Sequence, residues 1–93
     1  MTLNSKQKKT LKAKAHHLKP VVRIGQKGLT ENLIQETEQA LNIHELIKIH
    51  IADDDRELRG ELAAQLTRAT GADMVSQIGK TFTLYRKRKT NDA

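Results

Sequence analysis

The chain has 93 residues, 17 of them Lys or Arg and 11 Asp or Glu, for a formal charge of +6. At that length folding buries only about 60–65% of the unfolded chain's surface, which predicts one small domain without a deep pocket. There is no cysteine, which excludes disulfides, thiolate metal sites and cysteine nucleophiles, and no apolar run is long enough to span a membrane.

Leu, Ile, Val and Phe make up about a quarter of the residues, above the composition of disordered chains. The lysine-rich start lacks the apolar stretch of a secretory signal. The expectation is a folded, soluble, cytoplasmic protein.

In chain order, Asn4 and Ser5 can cap a first helix over residues 5–18, with Leu11, Ala15 and Leu18 on one stripe and Pro20 ending it. Val21, Val22, Arg23 and Ile24 read as a short β-branched strand. The Gly25-Gln26-Lys27-Gly28 turn follows. Thr30 can cap a second helix, to about Asn42, in which Leu33, Ile34, Thr37 and Leu41 recur at helical spacing. Ile47, Ile49 and Ile51 alternate with Lys48 and His50, the period of a half-buried strand.

Asp53, Asp54 and Asp55 supply a cap and first-turn anions for a third helix. Its predicted buried stripe is Leu58, Leu62, Leu66 and Ala69, and Gly71 stops it. A third strand contains Met74, Val75 and Ile78. Gly79-Lys80 suits a two-residue hairpin with glycine first, leading into a fourth strand over residues 81–86, in which Phe82 is a core candidate. From about Lys87 the chain reads as frayed.

The predicted fold is α/β, an α+β sandwich in the order α-β-α-β-α-β-β, with three helices on a four-stranded mixed sheet. Residues 2–88 form the single domain, and 89–93 a frayed basic tail.

Charge is segregated along the chain. Residues 1–28 hold eight bases and no acid, residues 29–79 four bases against ten acids, and residues 80–93 five bases against one acid. Two basic ends that met in the fold would form one positive face opposite an acidic one, and the partner of such a face is a polyanion.

Catalysis and metal binding find little support. The three aspartates serve as a helix cap, and His16 and His17 are adjacent and cannot both face one metal from a helix. Gly79-Lys80-Thr81 lacks the upstream glycine of a phosphate-binding P-loop and precedes a strand. No nucleophile has an evident base. The expectation is a non-enzymatic chain without cofactor, metal or small-molecule substrate. With only Phe82 and Tyr85 aromatic, base stacking cannot dominate nucleic-acid binding.

Gly25-Gln26-Lys27-Gly28 is the sharpest candidate site. Two glycines let the backbone approach a ligand closely, loop amides and a helix start favour phosphate, and Lys27 adds a full charge. A bare G-x-x-G is a weak signal, strengthened by its place in the basic first block.

Three segments agree in order and spacing with a known family. They are the run from His16 to Thr30 with its Leu18-Lys19-Pro20 and Gly25-Gln26-Lys27-Gly28, then His44-Glu45-Leu46-Ile47-Lys48, then Ile78-Gly79-Lys80-Thr81-Phe82-Thr83-Leu84-Tyr85-Arg86. The chain thereby resembles the CRM domain, the chloroplast RNA splicing and ribosome maturation domain, and within it the bacterial stand-alone YhbY family. The resemblance implies an α/β RNA-binding fold similar to the C-terminal domain of translation initiation factor three. It also implies a KH-like glycine loop in a basic surface and, for bacterial members, association with precursors of the large ribosomal subunit.

The expected partner is large-subunit ribosomal RNA or a pre-ribosomal particle, bound by a monomer. The contacts are assigned to Gly25, Gln26, Lys27 and Gly28, to Lys8, Lys12, Lys19 and Arg23 in the first basic block, and to Lys80 and Arg86 in the last. Two other readings remain open. One is a basic domain that binds nucleic acid without specificity. The other is a protein-interaction module whose acidic face, with Glu36, Glu38, Glu57 and Glu61, docks a ribosomal protein.

Overall fold

Asn4 opens α1 (Ser5–Lys14) with a reciprocal capping box. Its Oδ1 accepts from the Gln7 backbone N–H at 2.8 Å, and its own N–H donates to Gln7 Oε1 at 3.0 Å. The computed structural model describes residues 3–25 and 27–88. The helix is shorter than its periodicity predicts, because residues Ala15–His17 tighten into a 3-10 turn before Pro20.

Strand β1 (Pro20–Ile24) leads through the glycine loop into α2 (Glu31–His44), where Thr30 caps by accepting from the Leu33 N–H at 3.2 Å. Strand β2 (Leu46–Ile51) follows, then α3 (Arg56–Thr70), β3 (Asp73–Ile78) and β4 (Thr81–Tyr85). Of the three aspartates, Asp55 is the cap of α3: its Oδ1 accepts from the N–H groups of Glu57 at 3.0 Å and Leu58 at 3.3 Å. Asp53 instead accepts from the Asp55 N–H at 2.8 Å and fixes the approach to the helix.

The sheet order is β1-β2-β4-β3, with β1 parallel to β2 and β4 antiparallel to both its neighbours. The last strand is thus inserted at the centre. Gly79 alone carries a positive φ in the β3–β4 turn, +59°, as a turn with glycine first requires.

Alternation sorts the strand residues onto two faces. Val22, Ile24, Ile47, Ile49, Phe82 and Leu84 point to α2 and α3 and pack against Leu41, Ala63 and Leu66 in the main core. Complete burial of each such large side chain contributes about 1.5–3 kcal/mol. The buried hydroxyls of Thr37 and Thr70 each donate to a carbonyl four residues back at 2.8 Å, so neither is left unsatisfied.

The expected stripe of α3 is rotated. Leu66 is buried and Leu62 packs on the core, but Leu58 and Ala69 are exposed, and Arg59, Ala63 and Thr70 take the buried positions. Ala63 and Thr70 are the small residues on its inner side, beside Leu66. Arg59 is turned inward because its Nη1 donates to the Asp53 carbonyl at 2.7 Å.

Helix α1 lies on the other face, over β3, with its 3-10 turn against β2. Ala15, Val75 and Thr83 are buried there, outside the main core. A bulge between Met74 and Ser76 changes the register, so Met74 pairs with Leu84 on the helix-pair face while Ser76 pairs with Thr83 on the α1 face. Ile78, expected in the strand's apolar set, is 68% exposed. Among the described residues no helix is long and apolar enough to cross a membrane.

Candidate nucleic-acid interface

Because β1 and β2 run parallel and β4 runs against them, three connections gather at one end of the sheet. These are the glycine loop, residues 52–55 after β2, and the β3–β4 turn. Their bases are tied together: the Ala52 N–H donates to the Ile24 carbonyl at 3.0 Å, and the Ile51 N–H to the Lys80 carbonyl at 2.9 Å.

The glycine loop is itself closed by Gly28 N–H donating to Gly25 carbonyl at 3.1 Å, with Gly28 at φ +70°. A side chain on Gly28 would be strained by that φ. Beyond the adjacent residues of the chain, no atom lies within 4 Å of where a Cβ would stand on either glycine, so the loop backbone is open to a ligand. Leu29 packs on the main core and anchors the loop beneath. Lys27 is exposed in the loop, four residues before α2 begins at Glu31. Gln26, also assigned to the site, lies outside the described residues.

Arg23 is exposed on β1, on the face that α1 shares, and its register partner on β2 is His50. Lys48 lies two residues earlier on the same face, half-buried like His50. Sequence reading left Lys48 and His50 out of the site, although their alternation with three isoleucines already placed them on the side away from the core. Lys8, Lys12 and Lys19 are exposed, the first two on α1 and the third just before β1. The exposed acids Glu36, Glu57 and Glu61 belong to α2 and α3, on the opposite side of the sheet.

Lys80 reaches the same end as Lys27, but its Nζ donates to Asp54 Oδ1 at 2.7 Å. That hydrogen bond, and then the lysine's charge, hold the Asp54 carboxyl below its ordinary value, with Arg59 adding to the effect. Part of the lysine's charge is thereby offset by a neighbouring carboxylate.

Arg86 has to be removed from the site. Its side chain is only 8% exposed, and its guanidinium donates to Glu38 Oε1 at 2.8 Å, the Thr70 carbonyl at 2.6 Å and Asn42 Oδ1 at 2.6 Å. The same bonds withdraw Glu38 from the acidic face. Arg88 is likewise engaged: its Nε and Nη2 donate to the Asn42 and Ile43 carbonyls, each at 2.7 Å, capping the C-terminal end of α2. Among the described residues, the second basic block therefore offers less free charge than its composition implies. Two arginines of the second are fold elements, and fraying does not begin at Lys87. The proposed tail, 89–93, lies outside the described residues.

Among the described residues no group of three or more His, Cys, Asp or Glu is placed to hold a metal ion.

What this geometry defines is a small α/β domain presenting a glycine loop beside a basic sheet face. The CRS1/YhbY (CRM) domain model matches residues 3–86, and the chain belongs to that family. It is 49% identical over 85 residues to a Haemophilus influenzae protein named RNA-binding protein, covering 91% of this chain and 86% of the relative. It is 45% identical over 87 residues to a Pseudomonas aeruginosa protein, PA4753, named a probable RNA-binding protein, covering 94% and 84%. The solution structure of the hypothetical protein SAV1595 from Staphylococcus aureus superposes with a TM-score of 0.83 at 36% identity, covering 98% of this chain and 95% of that one.

Proposed function

We propose that this protein binds structured RNA without catalysing a reaction, and that its target is large-subunit ribosomal RNA during subunit assembly. The observation that carries the reading is the open Gly25–Gly28 loop with Lys27 at its tip, next to the Arg23–His50 pair and on the opposite side from the exposed glutamates of α2 and α3. Phosphates would be held by the loop amides, Lys27, Arg23, Lys48 and the lysines of α1. Contacts of this kind position a backbone and carry little base information, so shape would dominate selectivity. The names of the relatives point to the same ligand class.

The test is competition binding by fluorescence anisotropy. A folded fragment of large-subunit ribosomal RNA is expected to displace a bound labelled copy of itself at much lower concentration than duplex DNA of equal length. Equal competition would leave a non-specific basic domain, and no binding of either would remove the nucleic-acid reading.

A further inference from the structure

The end of the sheet opposite the glycine loop holds a lining of leucines and a tyrosine that the RNA reading does not use, although the lysines along it belong to the basic block that reading draws on. There β2 and β4 meet at the Leu46–Tyr85 pair, and α1 crosses the same face. Between helix and strand ends lies a series of depressions that share walls. Tyr85 lines three of them. Leu11 is common to two, and Leu18, His44 and Leu46 join the second of these to the next. They form one trough along the side of α1, from Leu3 to Val21.

Its walls mix apolar side chains with Gln7, Thr10, His17 and His44. Leu3, Leu11 and Leu18 come from the α1 side, Leu46 and Tyr85 from the sheet, and Leu18 and Val21 are 37% and 47% exposed. Leu11 and Leu18 are seven residues apart, and the α1 stretch that flanks the trough, Ser5–Lys14, is about 15 Å long at 1.5 Å per residue, roughly three helical turns.

The rims differ in charge. The α1 rim carries Lys6, Lys14 and Lys19 and no acid. The other carries Asp73 and Glu45, with Lys87 at one end. Glu45 accepts the Arg88 main-chain N–H at 2.7 Å, a bond to a neutral donor that leaves the carboxylate's charge in place.

A nucleic-acid strand suits this trough poorly. It would set phosphates beside Asp73 and Glu45, and the rings on which bases could stack are limited to Tyr85, His17 and His44. An amphipathic helix suits it well, with its apolar stripe in the trough and carboxylates along one flank. We propose that this trough docks an amphipathic helix of a partner protein, its acidic flank lying along Lys6, Lys14 and Lys19. The proposal is independent of the glycine loop, from which the strands separate it.

The probe is a fluorescein-labelled synthetic helix of about 16 residues, with leucines at three- and four-residue spacing and glutamates on one flank. A second version carries lysine for each glutamate. Amide NMR shifts and anisotropy are measured on the intact protein, with a single-stranded oligouridylate of about twelve nucleotides as the nucleic-acid arm. The acidic helix is expected to bind more tightly than the lysine version and to shift the amides of Leu11, Leu18, Leu46 and Tyr85 but not of Lys27. Lys14→Glu is expected to weaken the acidic helix about two- to fivefold and to strengthen the lysine version.

Leu18→Ser is expected to weaken the acidic helix about tenfold while the thermal midpoint stays near wild type, since the residue is part-exposed. Lys27→Glu is expected to leave peptide binding unchanged even where it abolishes RNA binding. Equal binding of the two peptides, or no shift at the trough, overturns the proposal. Oligouridylate shifts at the same amides overturn it in favour of RNA, and concentration-dependent self-association through them in favour of a second copy of the chain.

Discussion

Arg86, one residue beyond β4, donates from Nη1 to the Glu38 carboxylate on α2 at 2.8 Å, across 48 positions of sequence. The same guanidinium reaches the Thr70 carbonyl at the end of α3, so one side chain ties the central strand's exit to both helices of the main core. Removing it leaves a half-buried carboxylate and a buried carbonyl without that donor. Arg86→Ala is expected to destabilise the fold by about 3 kcal/mol or more, and Arg86→Lys by nearly as much, since an ammonium cannot reproduce the fork. Urea titration measures this. A loss below about 1 kcal/mol would show that the network contributes little, as an exposed pair does.

Lys27, by contrast, is exposed in the glycine loop. Lys27→Glu is expected to weaken RNA binding strongly while leaving the melting temperature nearly unchanged, and Lys48→Glu to weaken it as well. Lys87→Glu, remote from the loop, should cost less. If about five cations meet phosphates, log affinity falls against log salt with a slope of about −3.5 to −4.5, and Lys27→Ala reduces that slope by somewhat less than one unit. Anisotropy at several salt concentrations decides it, and wild-type affinity with an unchanged slope for Lys27→Glu would reduce the loop to a turn.

Gly79 has a φ of +59°, and beyond the adjacent residues of the chain no atom lies within 4 Å of a Cβ built on it. Gly79→Val therefore meets strain without a clash, a cost of about 1–2 kcal/mol. Asn, which tolerates the left-handed region, should cost less. Thermal melts that rank Val and Asn equally would mean that φ at this turn relaxes freely.

The Asp54–Lys80 pair predicts a pH effect of stated sign. Its folded-state carboxyl value is lowered, so any stabilisation from the pair is fully present above the ordinary aspartate value and is lost as pH falls through the lowered one. Asp54 is fully exposed, and the effect on stability should be small and erased by salt. Carboxyl NMR titration should place Asp54 below an ordinary aspartate, and Lys80→Ala should return it. The cap next to it is worth more: Asp55→Ala should cost about 1 kcal/mol, whereas Asp53→Asn, which keeps an acceptor for the Asp55 N–H, should cost little.

The sequence by itself determined whatever depends on neighbours within a few positions. The Asn4 and Thr30 caps, the 3.6-residue stripe of α2, the alternation in β2, the glycine-first turn at Gly79 and the open loop at Gly25–Gly28 all follow from short-range hydrogen bonding and side-chain period. The loop residues and the resemblance they carry were legible for the same reason. Only the tertiary structure decided the rest. Periodicity fixed that α3 has an apolar side but not which side would seat, because Arg59 is drawn inward by the Asp53 carbonyl while Leu58 is left exposed. Charge counting made Arg86 and Lys80 equal candidates, yet one is buried against Glu38 and the other stands at the surface with Asp54, 26 residues away. A cation's availability depends on which carboxylates and carbonyls the fold brings within about 3 Å of it, and those partners are set by chain topology, which leaves no trace in local sequence spacing.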